Sequence, residues 1–180
     1  MLNFHIKINV LVIISFVISI ACYGQELETN TFKNYKAAIG IIGNHKALGI
    51  QGEYKFANSF GIKGIGAKVF GYEKTSEYGY AGIALFTYYI PTKIKFIEPV
   101  LGVGGIYTLY HWTLPYNNGD INDVNFAGGF GINFRFSDHL RTGINMFFAN
   151  GYNTGYRQGE IKITSRKLMI LPTLTLEFLL

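Results

Sequence analysis

Between residues 124 and 136 the sequence alternates with a period of two. Val124, Phe126, Gly128, Phe130, Ile132, Phe134 and Phe136 form one set; Asn125, Ala127, Gly129, Gly131, Asn133 and Arg135 form the other. A helix scatters each set around its axis, whereas a strand sends the two sets to opposite faces. Residues 140–149 repeat the pattern, with Leu140, Thr142, Ile144, Met146 and Phe148 opposed to Arg141, Gly143, Asn145, Phe147 and Ala149. The first face is mainly apolar, and the second mixes glycine, amides and charge. The fold must give these two faces different surroundings.

Six further segments read as strands: 35–43, 46–56, 60–72, 78–90, 95–110 and 167–180. The eight are mostly about 9 to 16 residues long, where a strand in water averages five or six. A tilted strand that crosses a bilayer needs about 9 to 11. The connections alternate in length. Those at 57–59, 91–94 and 137–139 are tight, and those at 44–45, 73–77, 111–122 and 151–166 vary more. Short turns facing the periplasm and longer loops facing outward are the pattern of an outer-membrane barrel. An unpaired backbone amide or carbonyl costs several kcal/mol in hydrocarbon, so such a sheet must close on itself. The reading is all-β: an eight-stranded antiparallel up-and-down transmembrane β-barrel over residues 35–180.

Eight strands enclose an interior just wide enough to be filled by side chains. Gly102, Gly104, Gly129, Gly131 and Gly143 fall on the predicted inner face and relieve crowding there, or else mark bulges. Pro99 and Pro172 have no N–H to give the ladder and belong at a bulge or near a strand end. Aromatics gather near strand ends, with Phe56, Phe60, Tyr88, Tyr89 and Phe96 at one rim and Tyr107, Tyr110, Trp112 and Tyr116 at the other. Membrane barrels carry two such girdles. A soluble ligand-binding barrel would need the opposite orientation, with its phenylalanines turned inward.

Composition agrees. Aromatics make up 16% of the chain and charged residues 15%, which argues against a disordered tail or a solvated helical bundle. The net charge is +5, yet no basic cluster suits nucleic acid. Residues 1–24 have a secretory signal's order: Lys7, an apolar run over 10–20, then small residues at Ala21, Cys22 and Gly24. The alternatives are a retained membrane helix, for which the run is short, and lipid attachment at Cys22, where Ser19 replaces the usual Leu. Residues 25–34 form a short lead. Cys22 is the one cysteine, so a disulfide framework is excluded.

Two stretches carry a family resemblance: EPVLGVGGIY at 98–107 and NFAGGFGINFRFSDHLRTGIN at 125–145, followed by an apolar alternating terminus through Leu174, Leu176, Phe178 and Leu180. Over residues 35–180 the chain resembles the small eight-stranded outer-membrane barrel superfamily, the group of the OmpA transmembrane domain and of OmpX- and OmpW-like proteins. It departs in ending on Leu180 where Phe is usual, and in carrying Val100 where an aromatic is common. The resemblance implies the bacterial outer membrane, with its lipid and lipopolysaccharide as surroundings and the barrel-insertion machinery as a partner. It also implies roles as adhesins, envelope anchors or small-molecule conduits.

Seven charged residues fall on the inner face: Glu53, Lys55, Lys63, Glu98, Arg135, Arg141 and Glu177. Isolated ions are costly in a narrow lumen, so these should pair into a plug, with a gate or polar conduit as the functional alternative. Arg135 and Arg141 are the expected partners of Glu98 and Glu177. Trp112, Tyr116, Tyr152 and Tyr156 are candidates for recognition in outer loops, since exposed aromatics often anchor contacts. No catalytic, cofactor or metal site is predicted. His5, His45, His111 and His139 lack metal spacing. Asp120 and Asp123 lack the order of a calcium loop, and Ser137, Asp138 and His139 read as a tight turn. The functional expectation is a non-enzymatic barrel of structural, adhesive or surface-interaction type, a monomer with an unidentified extracellular ligand. A narrow solute channel is the alternative, followed by a lipid-modifying enzyme.

Overall fold

The structure is a computed structural model that describes residues 34–70, 78–114, 117–157 and 160–180; the segments 1–24 and 25–33 lie outside it. Eight strands follow in order: β1 Ala37–Asn44, β2 Ala47–Ala57, β3 Phe60–Phe70, β4 Tyr78–Tyr89, β5 Ile97–Leu114, β6 Asn117–Arg135, β7 Leu140–Arg157 and β8 Glu160–Leu179. Each pairs antiparallel with its neighbours in sequence, and β1 closes the barrel against β8 from Ala38–Leu179 to Gly43–Leu174.

The polarity is inverted relative to a soluble domain. Phe126 is 72% exposed and Val124 71%, while Arg141 and Glu177 are completely buried. Phe130, Ile132 and Leu176 face outward, as do Leu174, Phe178 and Leu180 in the closing strand. A continuous apolar exterior on a sheet with no edge is what hydrocarbon requires. Phe56, Phe60, Phe86 and Tyr88 cluster on the outside near the end where β1 begins and β8 ends, with ring centroids 5.1–5.8 Å apart. Phe70, Tyr80 and Tyr107 are exposed toward the opposite end. From Phe60 to Phe70 the strand rises about 34 Å, or about 24 Å after a 45° tilt, close to the height of a membrane barrel's apolar band. Tyr89 departs from the predicted girdle and points into the lumen.

The last four strands are longer than their sequences suggest. Segments 111–122 and 151–166 were expected as loops because Asn, Gly and Asp dominate them. Most of both is strand instead. Thr108 pairs with Asp123 and Thr113 with Asn118, and Tyr152 pairs with Ser165 and Tyr156 with Ile161. Hairpin ladders override the turn preference of single residues here. The strands β5 to β8 have 18 to 20 residues, whereas β1 to β4 have 8 to 12. The pairing of β6 with β7 stops at Ala127–Ala149, and that of β8 with β1 at Leu174–Gly43. Beyond Ala149 the β7–β8 hairpin pairs with neither neighbour among the described residues, whereas β5 stays paired with β4 as far as His111–Tyr78, so only the outer end of the β5–β6 hairpin stands clear.

The prolines sit where neighbouring strands have ended. Pro172 lies two residues beyond the last β1 pair, and its carbonyl, on the β1 side, accepts from Asn44 Nδ2 at 3.1 Å. The carbonyl of Pro99 accepts from Ile90 N at 2.9 Å, one residue past the end of β4. A strand residue's N–H and C=O point the same way, so each missing donor faces a side with no ladder to break.

Candidate functional site

The lumen is built in layers. Alternation along each strand places one inward residue at every second position, and the register stacks them. At the end where β1 begins and β8 ends, β2, β3, β5, β6, β7 and β8 bring together the seven charged residues read from the sequence. Arg141 is the hub. Its Nη2 donates to Glu53 Oε2 at 2.7 Å and Glu177 Oε2 at 2.6 Å; its Nη1 donates to Glu98 Oε2 at 3.1 Å and to the Tyr35 hydroxyl. Lys63 Nζ lies 3.2 Å from Glu53 Oε2. Lys55 and Arg135 stand 3.9 and 3.8 Å from Glu98 Oε1. Fork-shaped, always charged arginine suits a site with several carboxylates.

Tyr35 was not singled out in the sequence. The predicted strand 35–43 would turn it outward with Ile39 and Ile41, but β1 begins only at Ala37, and the Tyr35 hydroxyl donates to Glu98 Oε2 at 2.9 Å. Its ring lies beneath the Lys55 ammonium at 3.9 Å, and the guanidiniums of Arg141 and Arg135 stand 4.9 and 5.3 Å from its centroid. Tyr89 covers the same ammonium at 3.9 Å. The aromatic faces give partly desolvated cations a second source of stabilisation.

Above the ions lies a polar layer of Gln51, Thr87, Asn133, Asn145 and Thr175, all buried. Glycine makes room for it. A Cβ at Gly143 would stand 2.7 Å from Thr175 Oγ1 and 3.3 Å from Asn145 Nδ2, and would overlap Asn133 Oδ1. Next comes an apolar layer of Ile42, Ile65, Ile83, Leu85, Ile106 and Phe147, closed by Ala127 and Ala149.

The projecting hairpins carry different chemistry. His111 Nδ1 lies 2.5 Å from Asp120 Oδ1 across the β5–β6 ribbon, and its Nε2 lies 3.1 Å from Thr113 Oγ1. The order carboxylate, imidazole, hydroxyl is that of an acyl-transfer relay. The Asp120 side chain is 64% exposed, however, and water at the site removes the preorganised field such a relay needs. The contacts act as a cross-strand clasp. Asp123 caps Val124 N at 2.8 Å and accepts from Asn125 Nδ2 at 2.9 Å. No group of three metal-ligating side chains occurs among the described residues. The backbones of Trp112, Tyr152 and Tyr156 lie in β5 and β7 rather than in loops, and their side chains lie outside the described part, as does all of Tyr116.

No protein-family model matches the chain, and no curated protein matches it. Solved structures do. The N-terminal β-barrel domain of Pseudomonas aeruginosa OprF is similar with a TM-score of 0.63 at 10% identity, over 82% of this chain and 100% of that one. Neisserial surface protein A gives 0.54 at 12%, over 80% and 92%. The outer membrane protein OprG of Pseudomonas aeruginosa gives 0.54 at 13%, over 83% and 97%. The fold is that of the small bacterial outer-membrane barrels.

Proposed function

We propose that the chain is a non-enzymatic integral protein of the bacterial outer membrane, of structural, adhesive or surface-interaction type, acting through its two projecting hairpins. The observation that carries this reading is the filled lumen. Among the described residues an ion cluster spans one layer and buried apolar side chains the next, which supports a closed lumen over a solute path. The apolar exterior would meet outer-membrane lipid and lipopolysaccharide. The alternating Leu174, Leu176, Phe178 and Leu180 would offer the insertion machinery an apolar edge strand. Trp112, Tyr116, Tyr152 and Tyr156 would anchor an extracellular ligand other than nucleic acid, with the protein acting as a monomer.

Two measurements test this. The purified protein in a planar bilayer should give no discrete conductance steps; regular single-channel openings would overturn the closed-lumen reading. Replacing residues 113–118 and 155–162 with Gly-Ser turns should leave the barrel folded and abolish binding of expressing cells to host or abiotic surfaces. Unchanged binding would remove the hairpins from the function. A second reading, a narrow conduit for small apolar solutes, draws on the parting of β6 from β7 above Ala127–Ala149, which leaves a side exit above the plug.

A further inference from the structure

Two runs of backbone at the hairpin end have no strand beside them among the described residues. β6 pairs with β7 only from Ala127–Ala149 inward, so residues 117–126 present an open edge on their β7 side, where Asp123 caps the Val124 amide at 2.8 Å. β8 pairs with β1 only as far as Leu174–Gly43. Apart from the Pro172 carbonyl, which Asn44 meets, residues 160–173 present an open edge on their β1 side. Each edge is backed by its own hairpin, β6 by β5 out to Leu114–Asn117 and β8 by β7 out to Arg157–Glu160. An open edge on a formed ribbon is a template for a further strand.

The hairpins that carry these edges are oppositely charged. Residues 111–126 hold Asp120 and Asp123 and no Lys or Arg, a net charge of −2. Residues 150–173 hold Arg157, Lys162, Arg166 and Lys167 against Glu160 alone, a net charge of +3. The Asp120 side chain is 64% exposed, so its charge is presented to the surroundings in spite of its contact with His111. Like charges across a ladder repel and opposite charges attract. Two β8 edges therefore repel each other, as do two β6 edges, and the one match is β6 against β8. Within one molecule β7 lies between them.

Both strands run from the hairpin end toward the end where β1 begins. Two copies in the same membrane would bring them together parallel, the weaker ladder. Two copies facing each other from separate membranes bring them together antiparallel. The two-fold operation that sets β6 on the second copy's β8 also sets β8 on the second copy's β6, so one contact is made twice.

We propose that these hairpins bind a second copy of this chain on an opposing membrane, the open edge of β6 in each copy pairing with the open edge of β8 in the other. The inference rests on the reading that the hairpins form the contact surface of the protein, and it names their partner. Within one membrane the chain stays a monomer.

Phosphatidylcholine vesicles, which carry no net charge, test the pairing by turbidity once they hold the purified protein. Cleavage of the hairpins by added trypsin verifies that they face outward. Vesicles with the unsubstituted protein should clump, and protein-free vesicles should not. Asp120→Lys with Asp123→Lys makes both hairpins basic, and Lys162→Glu with Arg166→Glu and Lys167→Glu makes both acidic. Either variant alone should lose clumping. A mixture of the two should regain it, because opposite edges then meet at both contacts. If a multiple variant does not fold, Asp120→Lys and Arg166→Glu take its place, with stronger clumping expected on mixing than alone. Dispersed vesicles of unsubstituted protein, variants that clump alone as well as it does, or mixed variants that stay apart would each overturn the pairing. Hydrogen exchange of the amides in 117–126 and 160–171 should slow on clumping, and clumping with unchanged exchange there would overturn the edge-to-edge contact. Such failures are separate from that of the adhesive reading, which falls only if replacing the hairpins leaves binding of cells to surfaces unchanged.

Discussion

The two filled layers of the lumen reach the same end by opposite means. Where β1 begins and β8 ends, carboxylates from three strands and the Tyr35 hydroxyl of the lead converge on the guanidinium of Arg141, and each contact depends on a fork, an oxygen and a distance. Nearer the hairpins, aliphatic side chains and one phenylalanine fill equivalent space with no directional requirement. The ionic layer is therefore intolerant of single changes, and the apolar layer distributes its stability over many replaceable contacts. The first gives one register of eight strands its identity; the second excludes water.

Breaking the hub should have the largest effect. Arg141→Met leaves Glu53, Glu98 and Glu177 without their shared partner, and should destabilise the barrel by about 3–5 kcal/mol, the range for removing one member of a buried ionic group. Urea unfolding in micelles measures this. A loss below 1 kcal/mol would mean that water already screens the cluster. Restoring bulk between the layers comes next. Gly143→Val puts methyl groups into the space of Asn133, Asn145 and Thr175 and should cost about 1–3 kcal/mol by overpacking. A neutral outcome would show that the polar layer can shift as a unit. In the apolar layer, Ile106→Val removes one buried methyl group and should cost about 0.5–1.5 kcal/mol. A loss as large as that of Arg141→Met would erase the contrast between the layers.

Period two explains why the charged layer could be read from the sequence. Once a strand has one apolar face, a Glu or Arg on the other has its direction fixed, and Glu53, Lys63, Arg135, Arg141 and Glu177 all obey this. Convergence was another matter. That Arg141 and not Arg135 becomes the hub depends on shear between strands, which no single strand records. Alternation over 35–43 puts Tyr35 in the set of the outward Ile39 and Ile41, but the chain at Tyr35 has not yet entered β1 and its side chain is buried. Tyr89 was placed on the outer girdle because β4 is apolar or aromatic on both faces, so its pattern carries no direction. The lengths of β5 to β8 were hidden by turn-forming residues that a ribbon accepts when each has a cross-strand partner. Asn133 and Asn145 belonged to the inward set, but an amide on a lumen face does not announce a layer of its own.

The comparison sharpens when a similar contact is moved from the lumen into water. His111 and Asp120 face each other on the β5–β6 ribbon at 2.5 Å, as close as any contact Arg141 makes to a carboxylate, but the Asp120 side chain is well solvated. Exposed pairs contribute about 0–1 kcal/mol, because each group exchanges one good solvent shell for one partner and loses rotamer freedom. Asp120→Asn should therefore change global unfolding by less than about 0.5 kcal/mol, while the outer end of the hairpin, which lies past the last β4–β5 pair at Tyr78–His111, should show the loss locally. Hydrogen exchange of the amides of Thr113 and of Asn118 to Asn122 measures it: faster exchange there with an unchanged urea midpoint is the expected result. A fall in the midpoint comparable to that of Arg141→Met would mean that the hairpin is mechanically continuous with the closed barrel. The strong layer would then extend beyond the lumen.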